Sequence, residues 1–244
     1  PISDRGVFVR TIEEDLQRRD FTVNAIAYDV VTGTLIDPWG GQKDLADKTL
    51  RAVGAASARF REDGLRTMRA ARFSATLGFE IEAATLAAIP RALDVLAKVS
   101  VERIHDELCK ALSAREPSRC LWVLARTGML PVVLPEMVPS VGCTQNRFHA
   151  YDVWEHSVRA VDACAKGGVV RVAALLHDVG KPASRAVHAE TGDFTFYDHD
   201  KIGAPMADAA LRRLRFSNED RERVVHLVRH HVFYYADEWT DAAV

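Results

Sequence analysis

Phe60-Arg61-Glu62-Asp63-Gly64-Leu65-Arg66-Thr67-Met68-Arg69-Ala70-Ala71-Arg72-Phe73 is the stretch whose reading decides the fold. Asp63 is followed by Arg66, Arg69 and Arg72, each three residues after the last, so a helix would project these side chains from one broad face and its flank. The result is a basic ladder with one carboxylate at its foot. A structural account is open, because an Asp ahead of an apolar-periodic run is a common N-cap and Arg rows on helices are commonly solvated faces. The functional account is chemical: a carboxylate and a guanidinium one turn apart offer an acceptor beside a donor. The Watson–Crick edges of cytosine and adenine present an exocyclic amine beside a bare ring nitrogen, whereas uracil and guanine present a carbonyl beside an N–H. An Asp–Arg pair can accept the first two and reject the others, and further arginines can hold a triphosphate through bidentate contacts.

Glu62-Asp63-Gly64-Leu65-Arg66, with Arg69 and Arg72 in register, resembles the nucleobase-recognition motif of the class II tRNA nucleotidyltransferase and poly(A) polymerase family, which includes the bacterial CCA-adding enzymes. Three more blocks resemble that family in the same order. They are Arg18-Arg19-Asp20-Phe21-Thr22-Val23-Asn24-Ala25; Asp37-Pro38-Trp39-Gly40-Gly41 leading to Asp44-Leu45 and Leu50-Arg51; and Val101-Glu102-Arg103-Ile104 with Glu107-Leu108.

The resemblance implies template-independent addition of CMP and AMP to the tRNA 3′ end, with tRNA, CTP and ATP as partners. It implies that Asp63 and Arg66 read the base and that Arg69, Arg72 and Arg19 bind phosphates. Asp20 would lie near the nucleotide sugar. The structural alternatives are a turn-forming acid for Asp20 and a helix-end cation for Arg19. Glu102 and Arg103 correspond to a motif that holds the neck in shape, for which i, i+4 pairing is an adequate account. Gly64 stands where the family commonly has Pro, implying a less rigid first turn. The family's Asp-x-Asp pair, which holds Mg²⁺ for chemistry, has no counterpart before Arg18 and is expected upstream of Pro1, so no catalytic residue is assigned and this polypeptide is expected not to add nucleotides.

Composition neither adds to nor contradicts that expectation. The 244 residues are 48% hydrophobic and 27% charged, which suits a globular chain with two or more small cores and excludes a disordered or fibrous one. A net charge of −2 advertises no global affinity for nucleic acid, so any RNA contact must come from a local patch such as the ladder with Arg59 and Arg61. Cys109, Cys120, Cys143 and Cys164 form no Cys-x-x-Cys pair, which argues against a zinc ribbon or disulfide framework and fits a reducing cytoplasm. No apolar run is long enough to span a bilayer.

Taken in order, Gly6-Val7-Phe8-Val9 reads as a strand end, and Thr11 with Glu14 reads as a capping box opening a short helix. Val30, Val31 and Ile36 around Thr32-Gly33 predict a hairpin, the one convincing β element. Gln42 to Lys48 predicts a short helix. Leu65, Met68, Ala71, Phe73 and Leu77 recur at helical spacing opposite the arginines, with Gly78 as C-terminal cap. Ser100 can cap a helix over 101–112 with Ile104, Leu108 and Leu112 on one stripe, and another helix carries Leu121 and Leu124. Pro131 to Pro139 marks a domain boundary.

Past it lie eight of the nine histidines. His156, on an apolar-periodic helix, and the pair His177-Asp178 are candidate ligands for a divalent metal that could activate water for phosphoester hydrolysis. The surrounding Ala173-Ala174-Leu175-Leu176-His177-Asp178-Val179-Gly180-Lys181 resembles the signature of the HD phosphohydrolase superfamily. Those enzymes usually add an Asp from a late helix, whereas this chain offers His226, His230 and His231, with His199 as an extra candidate. A vestigial module in which His177 and Asp178 simply bond to each other stays open. The expectation is therefore a mainly α protein, α+β overall. Residues 1–55 form the end of a nucleotidyltransferase head with a small hairpin remnant, residues 56–138 a helical neck, and residues 139–244 an HD-like helical domain. A metal-dependent HD phosphohydrolase, a poly(A) polymerase and a non-catalytic RNA-binding fragment are the alternatives.

Overall fold

The computed structural model describes residues 11–165 and 167–232, so the expected strand end at Gly6-Val7-Phe8-Val9 lies outside the described residues. Two compact units divide the chain, one up to Val133 and one from Leu134. Both are mainly helical, and the described sheets are two-stranded.

The first unit opens with α1 (Ile12–Gln17), whose first turn is capped by Thr11 accepting the Glu14 N–H. Leu16 buries against Ala25 and Val53, with Ile36 and Trp39 packed over them. The predicted hairpin is present as β1 (Ala27–Asp29) and β2 (Thr34–Ile36), but Val30 and Val31 sit in its turn and are almost fully exposed. Asp29 accepts the N–H groups of Val31 and Thr32, which bends the chain before the β-branched pair can extend a strand.

In α2 (Gly41–Ala46), Asp37 takes the N–H groups of Gly41 and Gln42, while buried Asp44 takes the Thr22 hydroxyl and Arg51. The block from Asp37 to Arg51 thus closes on itself as scaffold. Beyond the predicted hairpin, β3 (Thr49–Leu50) pairs in parallel with β4 (Glu80–Ile81). Strands of two residues are too short to show alternation, which is why the sequence pattern hid them.

The 60–73 stretch is two helices where one continuous ladder was expected. α3 (Ala56–Glu62) stops at Asp63, which is extended at φ −148° and ψ 109°, and α4 (Leu65–Leu77) starts after Gly64. A Cβ on Gly64 would lie 2.7 Å from Leu96 Cα and nearer still to the Leu96 nitrogen. This glycine is therefore a close-approach position, and the expected loosening of the first turn is replaced by tight backbone packing. Leu65, Met68, Ala71 and Ala75 of α4 are buried, and the helix packs against α7 (Val101–Leu112) and α8 (Ser118–Arg126). From α7 the predicted stripe of Ile104, Leu108 and Leu112 is buried. Phe73 and Leu77 leave the predicted face: the Arg72 guanidinium lies 3.8 Å from the Phe73 ring centre, and Leu77 is exposed. Gly78 ends α4 with φ +69°, as expected of a glycine cap, whereas Ser100 makes no capping hydrogen bond to α7. Two short helices, α5 (Ala83–Ala88) and α6 (Leu93–Leu96), lead from α4 to α7, and α9 (Leu130–Val133) closes the unit. The proline-rich connection itself is helical, continuing from α9 through a 3-10 turn at Pro135–Ser140.

The second unit contains α10 (Val153–Ala163), α11 (Gly168–Leu176), α12 (Lys181–Ser184), α13 (His199–Arg213) and α14 (Asn218–His230). Trp154, Val158, Val161, Leu175, Leu176, Ala207, Leu211, Val224 and Val228 form its core, and α11 packs on both α10 and α14. β5 (Ala186–Val187) and β6 (Phe194–Thr195) form a small hairpin between α12 and α13. A Cβ on Gly180 would lie 2.6 Å from the Gly203 nitrogen and nearer to the His199 carbonyl, so glycine here admits the start of α13. Among the described residues no helix is long and apolar enough to cross a membrane.

Candidate functional site

Every rung of the arginine ladder has a partner. Arg66, 18% exposed, donates to Glu62 at 2.8 Å and to the carbonyls of Arg59 and Arg18 at 3.2 and 2.9 Å. Arg59 in turn donates to the Gln17 carbonyl. Two guanidiniums thereby satisfy carbonyls that the end of α1 leaves unpaired, and this holds Arg18-Arg19-Asp20 against the start of α4. Asp20 is buried: Oδ1 accepts the Phe21 N–H and the Asn24 amide, and Oδ2 accepts Arg69 at 2.6 Å. Arg72, 11% exposed, bonds to Glu107 through Nε, and Arg69 lies 3.8 Å from the same carboxylate. Arg19 is exposed and paired with Asp15 at 2.7 Å.

Glu107 stands in one of the family-like blocks, but the sequence reading gave it no role as a partner of the ladder. The available signal was an acid at the i+3 position of the Ile104, Leu108, Ala111 stripe, where a carboxylate must be buried and so must find a cation.

Asp63 does two things at once. Its Oδ1 takes the Leu65 N–H, the helix-start role that the structural account anticipated, and its Oδ2 takes Arg103 at 2.6 Å. Arg103 therefore bonds across the neck, in place of the expected i, i+4 pairing. Asp63 and Arg66 stand one turn apart, joined by the Arg66 N–H to the Asp63 carbonyl, with no side-chain hydrogen bond between them. Magnitude separates the pairs. Asp63–Arg103 and Arg66–Glu62 each have a well-exposed member and are worth about 0–1 kcal/mol. Arg69–Asp20 and Arg72–Glu107 each have a carboxylate at least 91% buried, and losing one partner of a buried pair costs about 3–5 kcal/mol. The first two pairs are weak and the second two are struts.

In the second unit the predicted trio of His156, His177 and Asp178 does converge, and His199 and His231 complete a second trio around the same Asp178. His177, His199 and His231 each place Nδ1 2.7 Å from the backbone carbonyl three residues earlier, which makes Nδ1 an N–H donor and turns Nε2 inward, a lone pair when the imidazole is neutral and a second donor when it is protonated. The His156 and His177 Nε2 atoms lie 3.1 Å apart, as do those of His199 and His231. Asp178 Oδ2 is within 3.5 Å of the first pair and Oδ1 within 3.6 Å of the second.

Burial pushes the Asp178 carboxyl up, but hydrogen bonds from His177, His199 and His231 prevail and hold it well below the usual carboxylate range. Burial lowers the His156 imidazole against the opposing pull of Asp178. A buried carboxylate ringed by imidazole Nε2 atoms is a donor set that fits a divalent cation at either trio when the imidazoles are neutral. Lys181, buried, approaches Oδ2 at 2.8 Å and bonds to Gln145. His226 and His230 lie with ring centres 4.6 Å apart and tilted by 46° on α14, outside either trio.

Comparison with known proteins gives three family matches along the chain. Residues 3–51 match the "Poly A polymerase head domain", residues 78–140 the "Probable RNA and SrmB- binding site of polymerase A", and residues 149–239 the "HD domain". An A-adding tRNA nucleotidyltransferase of Deinococcus radiodurans is 40% identical over 232 residues, 91% of this chain and 52% of the relative. The chain belongs to the tRNA nucleotidyltransferase and poly(A) polymerase family. Within that family it is 37% identical to a CC-adding tRNA nucleotidyltransferase of Thermus thermophilus, over 91% of the chain and 52% of the relative. A crystal structure of the Bacillus stearothermophilus CCA-adding enzyme in complex with CTP is 32% identical with a TM-score of 0.57, covering 91% of this chain and 56% of that one. A tRNA nucleotidyltransferase complexed with a primer tRNA and an incoming ATP analog shares the fold, at 22% identity and a TM-score of 0.59, over 91% of this chain and 59% of that one. The chain spans about half the length of the curated relatives it matches.

Proposed function

We propose that this chain supplies the nucleotide-reading and RNA-seating part of a tRNA nucleotidyltransferase that adds CMP and AMP to the tRNA 3′ end, in the cytoplasm, from CTP and ATP. One observation carries the reading: Asp63 and Arg66 stand one turn apart at the head of α4, each held by a side-chain pair weak enough to exchange. Asp63 Oδ2 leaves Arg103 to accept the exocyclic amine of cytosine or adenine, and Arg66 leaves Glu62 to donate to the bare ring nitrogen. Uracil and guanine would set a carbonyl against the carboxylate. Arg19, exposed at the end of α1, and Arg69, which keeps donors free of Asp20, take phosphate oxygens. Arg72 and Asp20 position these groups from below. Mg²⁺ belongs with a carboxylate pair of the head and is assigned to no residue described here.

The test is calorimetric titration of the chain with each nucleoside triphosphate. CTP and ATP should bind at least about tenfold tighter than UTP and GTP, a difference of about 1.4 kcal/mol. Asp63→Ala or Arg66→Ala should erase the preference. Equal affinity for all four nucleotides in the unaltered chain would defeat the reading.

The double trio around Asp178 favours a second activity, metal-dependent phosphoester hydrolysis by the HD unit. His156, His177 and Asp178 would hold one divalent ion, and His199 and His231 with the other Asp178 oxygen a second. Bound there, an ion would acidify a coordinated water for attack on phosphorus. Lys181, 2.8 Å from Oδ2, would hold the Asp178 carboxylate in place. Hydrolysis of a 2′,3′-cyclic nucleotide by the Mn²⁺-loaded chain should vanish in His177→Ala. Calorimetry should show Mn²⁺ binding lost in Asp178→Ala, and absence of Mn²⁺ binding to the unaltered chain would refute this activity.

A further inference from the structure

A cavity of about 240 Å³ opens on the first unit between the end of α4, β4, α5 and α8, away from the Asp63–Arg66 pair. Its floor is apolar, from Phe79, Ile81, Leu86 and Trp122, and two arginines, Arg119 and Arg126, stand at its wall. Arg119 fixes that wall: it donates to the carbonyls of Ser74 and Phe79 and is ion-paired with Glu80. Arg126 is different. It is exposed, has no carboxylate partner among the described residues, and lies 5.5 Å from the Trp122 ring centre. An indole beside a guanidinium, in an apolar-lined recess with one cation lacking a carboxylate partner, is the combination that receives an unstacked base and its phosphate.

We infer that this cavity is a subsite for one unpaired nucleotide of the bound RNA, its base against Trp122 and its phosphate on Arg126. The inference rests on RNA being the partner, as proposed above. The position agrees: Ser74 in the cavity wall and Arg66 lie on the same helix, about 12 Å apart along its axis at 1.5 Å per residue. A strand whose 3′ end meets Asp63 and Arg66 could therefore place an upstream nucleotide here. The sequence stretch matching an RNA-binding family model, residues 78–140, includes every cavity residue named except Ser74.

The probe is a fluorescein-labelled RNA hairpin carrying a tRNA acceptor stem and a single-stranded 3′ end, titrated by anisotropy with the full chain. Trp122→Ala should weaken binding about fivefold or more, and Trp122→Phe should restore most of it. Arg126→Glu should weaken binding and lower the salt dependence by about one counterion. Moving a single abasic sugar through the single strand should reveal one position whose missing base costs the unaltered chain as much as Trp122→Ala does. That arm needs no variant to fold. Unchanged affinity for every abasic RNA, or for a folded Trp122→Ala, would overturn the subsite and leave the recess to an apolar side chain of a protein partner. CTP titration of the same variants separates the two proposals, because Trp122 and Arg126 should leave the CTP-over-UTP preference intact.

Discussion

Glu107 interrupts an apolar stripe in the sequence and anchors two arginines in the structure. Glu107→Gln should cost about 3–5 kcal/mol, read as a lower Tm, because Arg72 is left buried without an anion. Asp63→Asn should cost under about 1 kcal/mol while changing nucleotide preference, since its partner Arg103 is half exposed. Stability and selectivity are thus expected to separate within one network, and denaturant titration beside nucleotide titration measures both. Gly64→Ala should cost about 1–3 kcal/mol, because the new methyl group meets the Leu96 backbone, which cannot rotate away. Burial pushes the Cys120 thiol up to about 12, with Glu107 adding to the rise, so it should stay unmodified by a thiol reagent until the chain unfolds, a difference that timed mass spectrometry would show.

Among the elements, α2 and α5 depend on carboxylates outside their first turns. Burial is the largest single influence on the Asp37 carboxyl and raises it, but the N–H groups of Gln42 and Gly41, with the Gln42 side chain, together outweigh it and the value falls below the ordinary one. Glu82 is likewise lowered: burial opposes, and the Thr85 hydroxyl and N–H prevail. A depressed folded value means that each contributes in full above the ordinary carboxylate range and loses that contribution as pH falls through the folded value. The acid limb of a pH–stability curve, below about pH 4, should therefore be shallower in Asp37→Asn with Glu82→Gln. Much at this scale was legible from the sequence. The Thr11 cap, the Gly78 stop and the buried stripe of α7 follow from spacing. A helix start at Asp63 was open as a cap, but the close approach at Gly64 was not legible, because it is imposed by the α6 backbone some thirty residues away.

For the whole molecule, the two units have different means of stabilisation. The first is strapped by arginines, whereas the second encloses an anion amid four imidazoles and should gain stability from a cation. Mn²⁺ at about a hundred times its dissociation constant should add about 2.7 kcal/mol to the unfolding of the unaltered chain and nothing to Asp178→Ala, as a thermal melt would show. By itself the sequence determined the mainly helical class and the change of character after Pro131–Pro139, and it picked out the candidate carboxylate, arginines and histidines, because helical period and residue type are local properties. Only tertiary structure decided the partners. Arg103 bonds to Asp63, Glu107 takes Arg72, and His199 and His231 join Asp178, since each pairing spans tens of residues and is fixed by helix packing, which no local spacing encodes.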